Sequence, residues 1–468
     1  MLNGRRQFFS SFGASLVVGR AGLAATSASS GQVRERSSTD GAPTSPAATF
    51  KPVETPDVPK LAWTVDNGVK VFNLVAEPVK RAFLPGALVD AWGYNGNAPG
   101  PTIEVFQGDH VRIIVDNHLP EATSMHWHGF EIPIAMDGMP GISQPLIPPG
   151  GRFVYEFTLR QAGTFFYHSH MAMQEMMGLI GLFIMHPREA YTPPVDKDFG
   201  IILQEWAILP NSSVPNTLSM EFNWLTMNGR CGPATTPLVV KLGERVRIRF
   251  VNLGMDHHPI HLHGNTFYVT GTEAGRVPPA AWTPANTVLV GVAQARDVEF
   301  EANNPGDWML HCHMPHHMMN HMASMVGPML EARGMPAGAG MPEGMGMMQQ
   351  GAPLSQENGP SLGRSIGLGA ELERPTTNMP LPSANGMGNM QGMPHLHGAA
   401  NAGQVPGYPQ DMMMTSMDSA VAKPETFGLA PGWSSGVNGM MTLVRVLPPD
   451  LYEQVMARVR DRASGSRG

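Results

Sequence analysis

A cysteine lies between two histidines in the stretch HCHMPHHMMNHM, which occupies residues 311–322. The run that leads into it, GDWMLHCH (306–313), is typical of a β-strand. Side chains alternate between the two faces of a strand, so His311 and His313 would point one way and Cys312 the other. One strand can therefore contribute ligands to two metal sites, with the cysteine backbone as the covalent link between them.

Two copies of one strand-rich pattern fill the middle of the chain, at roughly residues 50–190 and 195–333. Short alternating runs broken by Gly and Pro predict strands rather than helices, and hence an all-β protein with two sandwich domains. The motifs that recur are GDHVRIIVDN (108–117) with GERVRIRFVN (243–252), HWHG (126–129) with HLHG (261–264), and GTFFYHSH (163–170) with GDWMLHCH (306–313).

Four residues of the second copy replace residues that bind metals poorly in the first. Cys312 corresponds to Ser169, His258 to Thr123, His317 to Gln174 and Met322 to Leu179. One thiolate, two imidazoles and a weak thioether are the donors of a blue-copper site, which transfers single electrons. Zinc more often takes further cysteines or a carboxylate.

Eight further histidines form four pairs between the copies and have no thiolate among them. They are His126 with His261, His128 with His263, His168 with His311, and His170 with His313. Imidazole suits copper, iron, nickel or zinc. Eight rings are too many for one ion but fit three coppers with open positions, which indicates a four-electron acceptor such as dioxygen.

The motifs HWHG, HSH, HPIHLHG and HCHMPHHMMNHM resemble those of the multicopper oxidases, over roughly residues 60–333. The resemblance implies cupredoxin-like Greek-key domains, four coppers per functional unit, and oxidation of a reducing small molecule or of Cu(I) by O2. It assigns His258, Cys312, His317 and Met322 to type 1 copper and His126 and His261 to type 2 copper. The type 3 pair would be held by His128, His168, His170, His263, His311 and His313.

Asp137, in the stretch MDGMPG, matches the family's acid beside the type 2 site, which helps to deliver protons to oxygen. An Asp-Gly pair is also an ordinary turn, and that alternative stays open. The family's acid directly after the second type 1 histidine is absent, because Met318 stands there.

The spacing between the motifs is similar to that of the two-domain small laccases, since His258 follows His170 by only 88 positions. A three-domain oxidase has a whole further domain there. In the small laccases, domain 1 of one subunit and domain 2 of the next share the three-copper cluster. The resemblance therefore implies a homotrimer with cyclic symmetry.

The ends of the chain carry other signals. Arg5 and Arg6 precede an apolar run, which predicts a twin-arginine export signal over residues 1–30 and a periplasmic or extracellular location. A linker (31–49), domain 1 (50–192) and domain 2 (193–333) would follow. Residues 334–430 are rich in Met, Gly and Pro and are expected to be largely disordered, either collecting copper or serving as a linker, before a strand and helix pattern at 431–468.

Composition narrows the alternatives. The formal net charge of −7 gives no indication of nucleic-acid binding, and no later run is apolar enough to span a membrane. The 35 methionines either bind Cu(I), which prefers thioether ligands, or fill irregular space in the core. A non-catalytic copper-binding protein and a copper nitrite reductase remain as alternatives, although the latter keeps type 1 copper in its first domain.

Overall fold

The computed structural model describes residues 50–171, 173–209, 212–320 and 416–465. The predicted export signal, the linker, Met322 and residues 334–415 of the methionine-rich segment lie outside the described residues. Within the described part the chain is mostly strand, with a single α-helix, which confirms the all-β prediction. None of its helices has the length and apolarity needed to cross a membrane.

The first domain is a sandwich of two sheets around an apolar core that includes Trp127 and Tyr155. On β5, residues 111, 113 and 115 are buried and their neighbours less so, as the sequence alternation predicts. Sheet 1 has the order β1-β2-β5-β7, with β3 beside β2: β1 (Trp63–Asp66), β2 (Val69–Leu84), β3 (Ala87–Tyr94), β5 (His110–Asn117) and β7 (Arg152–Thr158). Sheet 2 has the order β4-β9-β8-β6: β4 (Gly100–Phe106), β6 (His126–His128), β8 (Gly163–His168) and β9 (Ile180–His186).

The second domain repeats this plan around its own core. Sheet 3 has the order β11-β10-β13-β19-β15-β16, with β17 beside β15: β10 (Lys197–Trp206), β11 (Trp224–Met227), β13 (Arg245–Asn252), β15 (Phe267–Thr272), β16 (Gly275–Arg276), β17 (Thr283–Ala285) and β19 (Ala295–Glu301). Sheet 4 has the order β12-β21-β20-β14-β18: β12 (Leu238–Lys241), β14 (His258–Leu262), β18 (Thr287–Val290), β20 (Gly306–Cys312) and β21 (Met441–Leu447).

Strand β21 comes from the C-terminal segment yet lies in the middle of sheet 4. It pairs antiparallel with β20 and parallel with β12. In sheet 2 the strand with the same two pairings is β9, which follows β8 directly in the chain. The second sandwich is therefore completed by a strand that follows residues 321–415.

Other parts of the C-terminal segment also pack on the body of the protein. Met417 and Val421 join the cluster around Trp206, and Lys423 forms a 2.8 Å ion pair with Asp57. Helix α1 (Pro449–Gly465) packs through Val455 and its neighbours against β12 and β21. The sequence predicted the strand and the helix here but not their partners.

Sheet 2 of the first domain packs on sheet 3 of the second. Strand β8 contacts β13, β15, β16 and β19, and apolar side chains such as Phe166 and Val251 are buried at this contact. Arg249, which is 1% exposed, donates to Thr164 of the first domain at 2.7 Å and is ion-paired with Asp198 at 2.7 Å. Because sheet 3 faces the first domain, sheet 4 forms the far side of the second sandwich.

Candidate metal centres

Strand pairing and one short turn bring His258, Cys312 and His317 together. Ile260 of β14 is paired with Cys312 of β20, which places the start of β14 beside the cysteine. His317 lies in the 3₁₀ turn Pro315–Met318 that follows β20. The Nδ1 atoms of the two histidines are 3.2 Å apart, and the Cys312 Sγ lies 3.7 Å from that of His258 and 3.4 Å from that of His317.

The donor set fits a copper ion. All three side chains are buried, and burial raises the pKa of the Cys312 thiol to about 12, so a bound cation is needed to hold it as a thiolate. The Nε2 atom of His317 is buried, lies 3.6 Å from an Asp256 carboxylate oxygen and makes no hydrogen bond. Two Nδ1 atoms and one soft sulfur therefore converge on a single position, as a copper–thiolate site requires.

Glu205 holds His258 in place and was missed by the sequence analysis. Its carboxylate is fully buried, lies 3.1 Å from the His258 Nε2, and accepts hydrogen bonds from the backbone N–H groups of Met255 and Asp256. The Nε2–H···O contact leaves the His258 Nδ1 free for a metal. A glutamate at the end of the apolar run FGIILQEW, which forms β10, was the available signal.

The corresponding place in the first domain is closed by hydrogen bonds. The Thr123 hydroxyl donates to the Gln174 Oε1 at 2.7 Å, and the Ser169 hydroxyl donates to the same oxygen at 2.7 Å. These are the residues that the duplication matched to His258, His317 and Cys312. A polar triad without soft donors therefore stands where the second domain has its thiolate and imidazoles.

The first-domain histidines form one group on neighbouring strands. His126 of β6 is paired with His168 of β8, and the ring centroids of His126, His128 and His168 lie 5.3 to 5.6 Å apart. His170 completes the group, 5.3 Å from His126, and is exposed. The structure thus brings these four predicted residues together.

The second-domain histidines repeat the arrangement on β14 and β20. His261 is paired with His311, and their ring centroids are 5.6 Å apart. The Nε2 atoms of His263 and His311 are separated by only 3.0 Å, and exposed His313 lies 5.5 Å from His261. Each group has the same burial pattern, with one buried, two half-buried and one exposed ring.

Backbone carbonyls fix the orientation of the rings. The Nδ1–H of His168 faces the Ser169 oxygen at 2.9 Å, and that of His311 faces the Cys312 oxygen at 2.8 Å. This tautomer leaves each Nε2 lone pair free for a metal. Burial lowers the pKa of His168 to about 3 and that of His128 to about 4, so both rings are neutral, ligand-competent imidazoles at neutral pH.

Asp137 lies beside the first histidine group. Its backbone oxygen accepts a hydrogen bond from the His126 Nδ1 at 2.7 Å, and its carboxylate Oδ1 is 3.6 Å from the same atom. The half-buried carboxylate therefore lies next to the His126 ring.

The two histidine groups lie on different sheets of one chain. The first is on sheet 2 and the second on sheet 4, with sheet 3 between these sheets. Among the described residues every histidine–histidine ring contact stays within one group or within the cysteine site and its neighbour His316. In the single chain the two groups are therefore separate, and each is partly exposed.

Cys231, the other cysteine, is a free thiol buried near Trp206 and Trp224. Burial raises its pKa well above the ordinary value, and it lies in a different cluster from Cys312. It is therefore an inert packing residue.

Comparisons with known proteins agree with this geometry. Two sequence models, both described as multicopper oxidase, match residues 76–190 and 209–328, which together are half of the chain. Copper resistance protein A of Pseudomonas syringae pv. tomato is 37% identical over 140 residues, which cover 30% of this chain and 23% of that protein. Laccase-2 of Botryotinia fuckeliana is 33% identical over 241 residues, which cover 46% of this chain and 40% of that protein.

The chain thus spans less than half the length of these two curated relatives. The crystal structure of the blue copper oxidase from Nitrosomonas europaea is similar with a TM-score of 0.50 and 29% identity, over 54% of this chain and 81% of that one. The matched sequence models, the paired β-sandwiches and the converging thiol and imidazoles lead to one conclusion: the chain belongs to the multicopper oxidase family.

Proposed function

We propose that this protein takes four single electrons from a reducing substrate and transfers them to dioxygen, which is reduced to two waters with four protons. One observation carries the proposal. The buried His258, Cys312 and His317 converge on one position, and the cysteine lies between His311 and His313 of the second histidine group. An electron-accepting site and half of an oxygen-reducing site are thereby joined by one residue.

The residues divide into the two kinds of site as the resemblance implies. His258, Cys312 and His317, with Met322 as the fourth ligand by motif spacing, would hold type 1 copper. His126 and His261 would hold type 2 copper, and the type 3 pair would lie on His128, His168, His170, His263, His311 and His313. Copper at these positions supplies one-electron chemistry at the cysteine and dioxygen reduction among the histidines.

The strand supplies the route between the sites. Cys312 is bonded through its backbone to both neighbouring histidines, and the Nδ1 of His311 contacts the Cys312 carbonyl oxygen at 2.8 Å. Electrons that enter at the sulfur therefore have a covalent path and a shorter hydrogen-bonded path to the histidine group. The surrounding core around Ile260 and Leu310 excludes water from the sulfur.

We infer that the oxygen-reducing site is completed between copies of the chain, in a homotrimer. Two half-sites on different sheets support this, since a head-to-tail contact would join the first group of one subunit to the second group of the next. Exposed apolar side chains on both domains suit such a contact. They are Ile134 and Ile142 on the first domain, and Leu289 and Val292 on the second.

Two substrate classes suit the cysteine site. The spacing of a small laccase favours phenols and aromatic amines. A second candidate, Cu(I), is supported by half-buried Met314 and Met318 on either side of His317, since thioethers prefer Cu(I), and by the similarity to copper resistance protein A. Steady-state rates with Cu(I) and with dimethoxyphenol separate them. If Cu(I) is the substrate, replacing half-buried Met314 and Met318 by Leu should lower only the rate with Cu(I).

The alternatives are less well supported. A nitrite reductase would keep its type 1 copper in the first domain, where Thr123, Ser169 and Gln174 instead hydrogen-bond to one another. A protein that only stores copper has no use for a cysteine flanked by two histidines of a second site.

We also propose export by the twin-arginine sequence at Arg5 and Arg6. Replacement of both by Lys, followed by cell fractionation, would test this.

The decisive experiment counts copper and records the visible spectrum and oxygen consumption of the purified protein. We expect four coppers per subunit, an intense thiolate band and uptake of one O2 per four electrons. Cys312→Ser should abolish the band and the turnover, whereas Cys231→Ser, which removes the other buried thiol, should keep both. A copper-loaded protein without the band, or one that consumes no oxygen with any reductant, would refute the proposal.

A further inference from the structure

We propose that Met440, in the segment that leads into β21, supplies the thioether ligand of the copper held by His258, Cys312 and His317. The inference rests on the proposed function. It moves the fourth ligand from Met322, where motif spacing puts it, to a residue that follows His317 by 123 positions.

The register between β20 and β21 places Met440 opposite the cysteine. His311 is paired with Met441 in this antiparallel ladder, so the next pair along is Cys312 with Met440. The Cys312 N–H donates to the Met440 carbonyl oxygen at 3.0 Å, which confirms the pairing beyond the end of the strand. Residues directly opposite on neighbouring strands bring their side chains to the same face.

The first domain shows the same arrangement in a shorter stretch of chain. There the Ser169 N–H donates to the Leu179 oxygen at 3.0 Å, and the Leu179 N–H donates to Gln174 at 3.3 Å. In the second domain the Met440 N–H donates to the His317 oxygen at 2.9 Å. Both hydrogen bonds are thus repeated, and Met440 takes the place of Leu179.

The glycine before each residue is repeated as well. Gly178 has a φ of +110° and Gly439 a φ of +61°. A Cβ on Gly439 would lie 2.3 Å from the His317 backbone oxygen, so the chain can approach the histidine turn this closely only with glycine. This close approach places Met440 directly against the turn that carries His317.

Burial indicates which face the Met440 side chain takes. Met440 is fully buried and belongs to the same apolar cluster as Cys312, Val444 and Val446. Met441 belongs instead to the cluster on the opposite face of the strand, with Leu443. The Met440 thioether therefore lies on the cysteine side of sheet 4, and the Met441 thioether does not.

Motif spacing places Met322 at the copper only if the strand that pairs with the cysteine strand comes directly after the histidine turn. In the first domain Leu179 follows Ser169 by ten positions, directly before β9. In the second domain the return strand is β21, which follows residues 321–415. The position that faces the sulfur is fixed by strand pairing rather than by counting from Cys312.

The test uses the copper-loaded full chain and measures its thiolate absorption, its electron paramagnetic resonance spectrum and its reduction potential. Met440→Leu keeps the volume and removes the sulfur, so we expect a higher potential; Met440→Gln should lower the potential and change the copper hyperfine splitting. Met441→Leu and Met322→Leu are the matched controls and should leave all three readouts unchanged. A shift in Met322→Leu with no shift in the Met440 variants would overturn the inference.

The outcome separates this inference from the proposed function. If the unaltered protein lacks the thiolate band, the proposed function itself is refuted. If the protein is blue but the Met440 variants leave its spectra and potential unchanged, only the ligand assignment is refuted. If both Met440 variants fail to fold, the copper-loaded crystal structure of the unaltered chain decides, because the ligand is the methionine whose Sδ lies nearest to the copper. Met440 in that place supports the inference, and any other methionine overturns it.

Discussion

At the scale of single residues, a carboxylate lies beside one histidine of the first group and another beside a histidine of the cysteine site. Glu175 has a carboxylate oxygen 3.4 Å from the His168 Nδ1, and Glu205 binds His258. Burial, together with the nearby charge of Glu205, raises the pKa of Glu175 to about 7. Glu175 is thus an acid that stays protonated at mildly acidic pH, beside a histidine of the first group.

This raised pKa predicts a pH dependence of stability. The folded-state pKa of Glu175 is about 7 and its ordinary value is 4.5, so the folded chain holds a proton that the unfolded chain releases between these values. The contribution of Glu175 to the free energy of unfolding is therefore largest below pH 4.5 and is lost as pH rises to about 7. In metal-free protein, Glu175→Gln should show a smaller fall in stability from pH 5 to pH 8 than the unaltered chain.

Chemical denaturation at both pH values measures the effect. Exposed Glu189→Gln is the control and should retain the pH dependence of the unaltered chain. An unchanged pH dependence in Glu175→Gln would show that another group carries it.

A second prediction concerns Asp137. Its half-buried carboxylate lies 3.6 Å from the His126 Nδ1 and is the candidate proton donor for oxygen reduction. Asp137→Asn keeps the backbone carbonyl that orients His126 but cannot exchange a proton, so we expect oxygen turnover to fall by about 10²–10⁴-fold. The thiolate band should survive, and normal turnover of the variant would leave Asp137 as a turn residue only.

At the scale of secondary-structure elements, the connection into β21 depends on Gly439. Gly439→Ala would place a Cβ 2.3 Å from the His317 oxygen and 2.9 Å from the Met319 nitrogen. We expect the substitution to displace the histidine turn and weaken the thiolate band, in addition to a cost of about 1–2 kcal/mol for the left-handed backbone.

Gly432→Ala is the matched control, because Gly432 also has a positive φ of 84° but has no atom within 4 Å of the added Cβ. It should lower stability by a similar backbone cost and leave the spectrum unchanged. Equal effects of the two substitutions on the copper site, measured by absorption after equilibrium with Cu(II), would contradict the expectation.

At the scale of the whole molecule, the shared-site hypothesis predicts complementation between inactive chains. His168→Ala removes a ligand of the first group, and His311→Ala removes one of the second, so each variant alone should be inactive. In a mixed trimer, one interface combines the intact first group of one chain with the intact second group of another. Each mixed trimer has one intact site out of three, so isolated mixed trimers should show about a third of the unaltered activity.

Co-expression with two different affinity tags isolates the mixed trimers for oxygen-uptake assays. Two His168→Ala chains with different tags serve as the control and should stay inactive. Mixed trimers that form but show no oxygen uptake would mean that each chain builds its site alone, as would active protein that sediments as a monomer.

The sequence by itself determined the residue chemistry and the duplicated all-β plan. Alternating strands, the repeated HxH motifs and the copy-specific His258, Cys312 and His317 are local patterns, and each survives in the structure because strand register preserves residue spacing within one element. The triad of Thr123, Ser169 and Gln174 shows that even the residues expected to be unsuitable for metal lie together.

Only the tertiary structure decided which residues from distant parts of the chain contact these ligands. Glu205 reaches His258 from another sheet, and β21 reaches Cys312 across residues 321–415. The separation of the two histidine groups likewise follows from the packing of sheet 2 on sheet 3. Sheet pairing depends on backbone hydrogen bonds and buried area rather than on distance along the chain, so no motif spacing could have predicted these contacts.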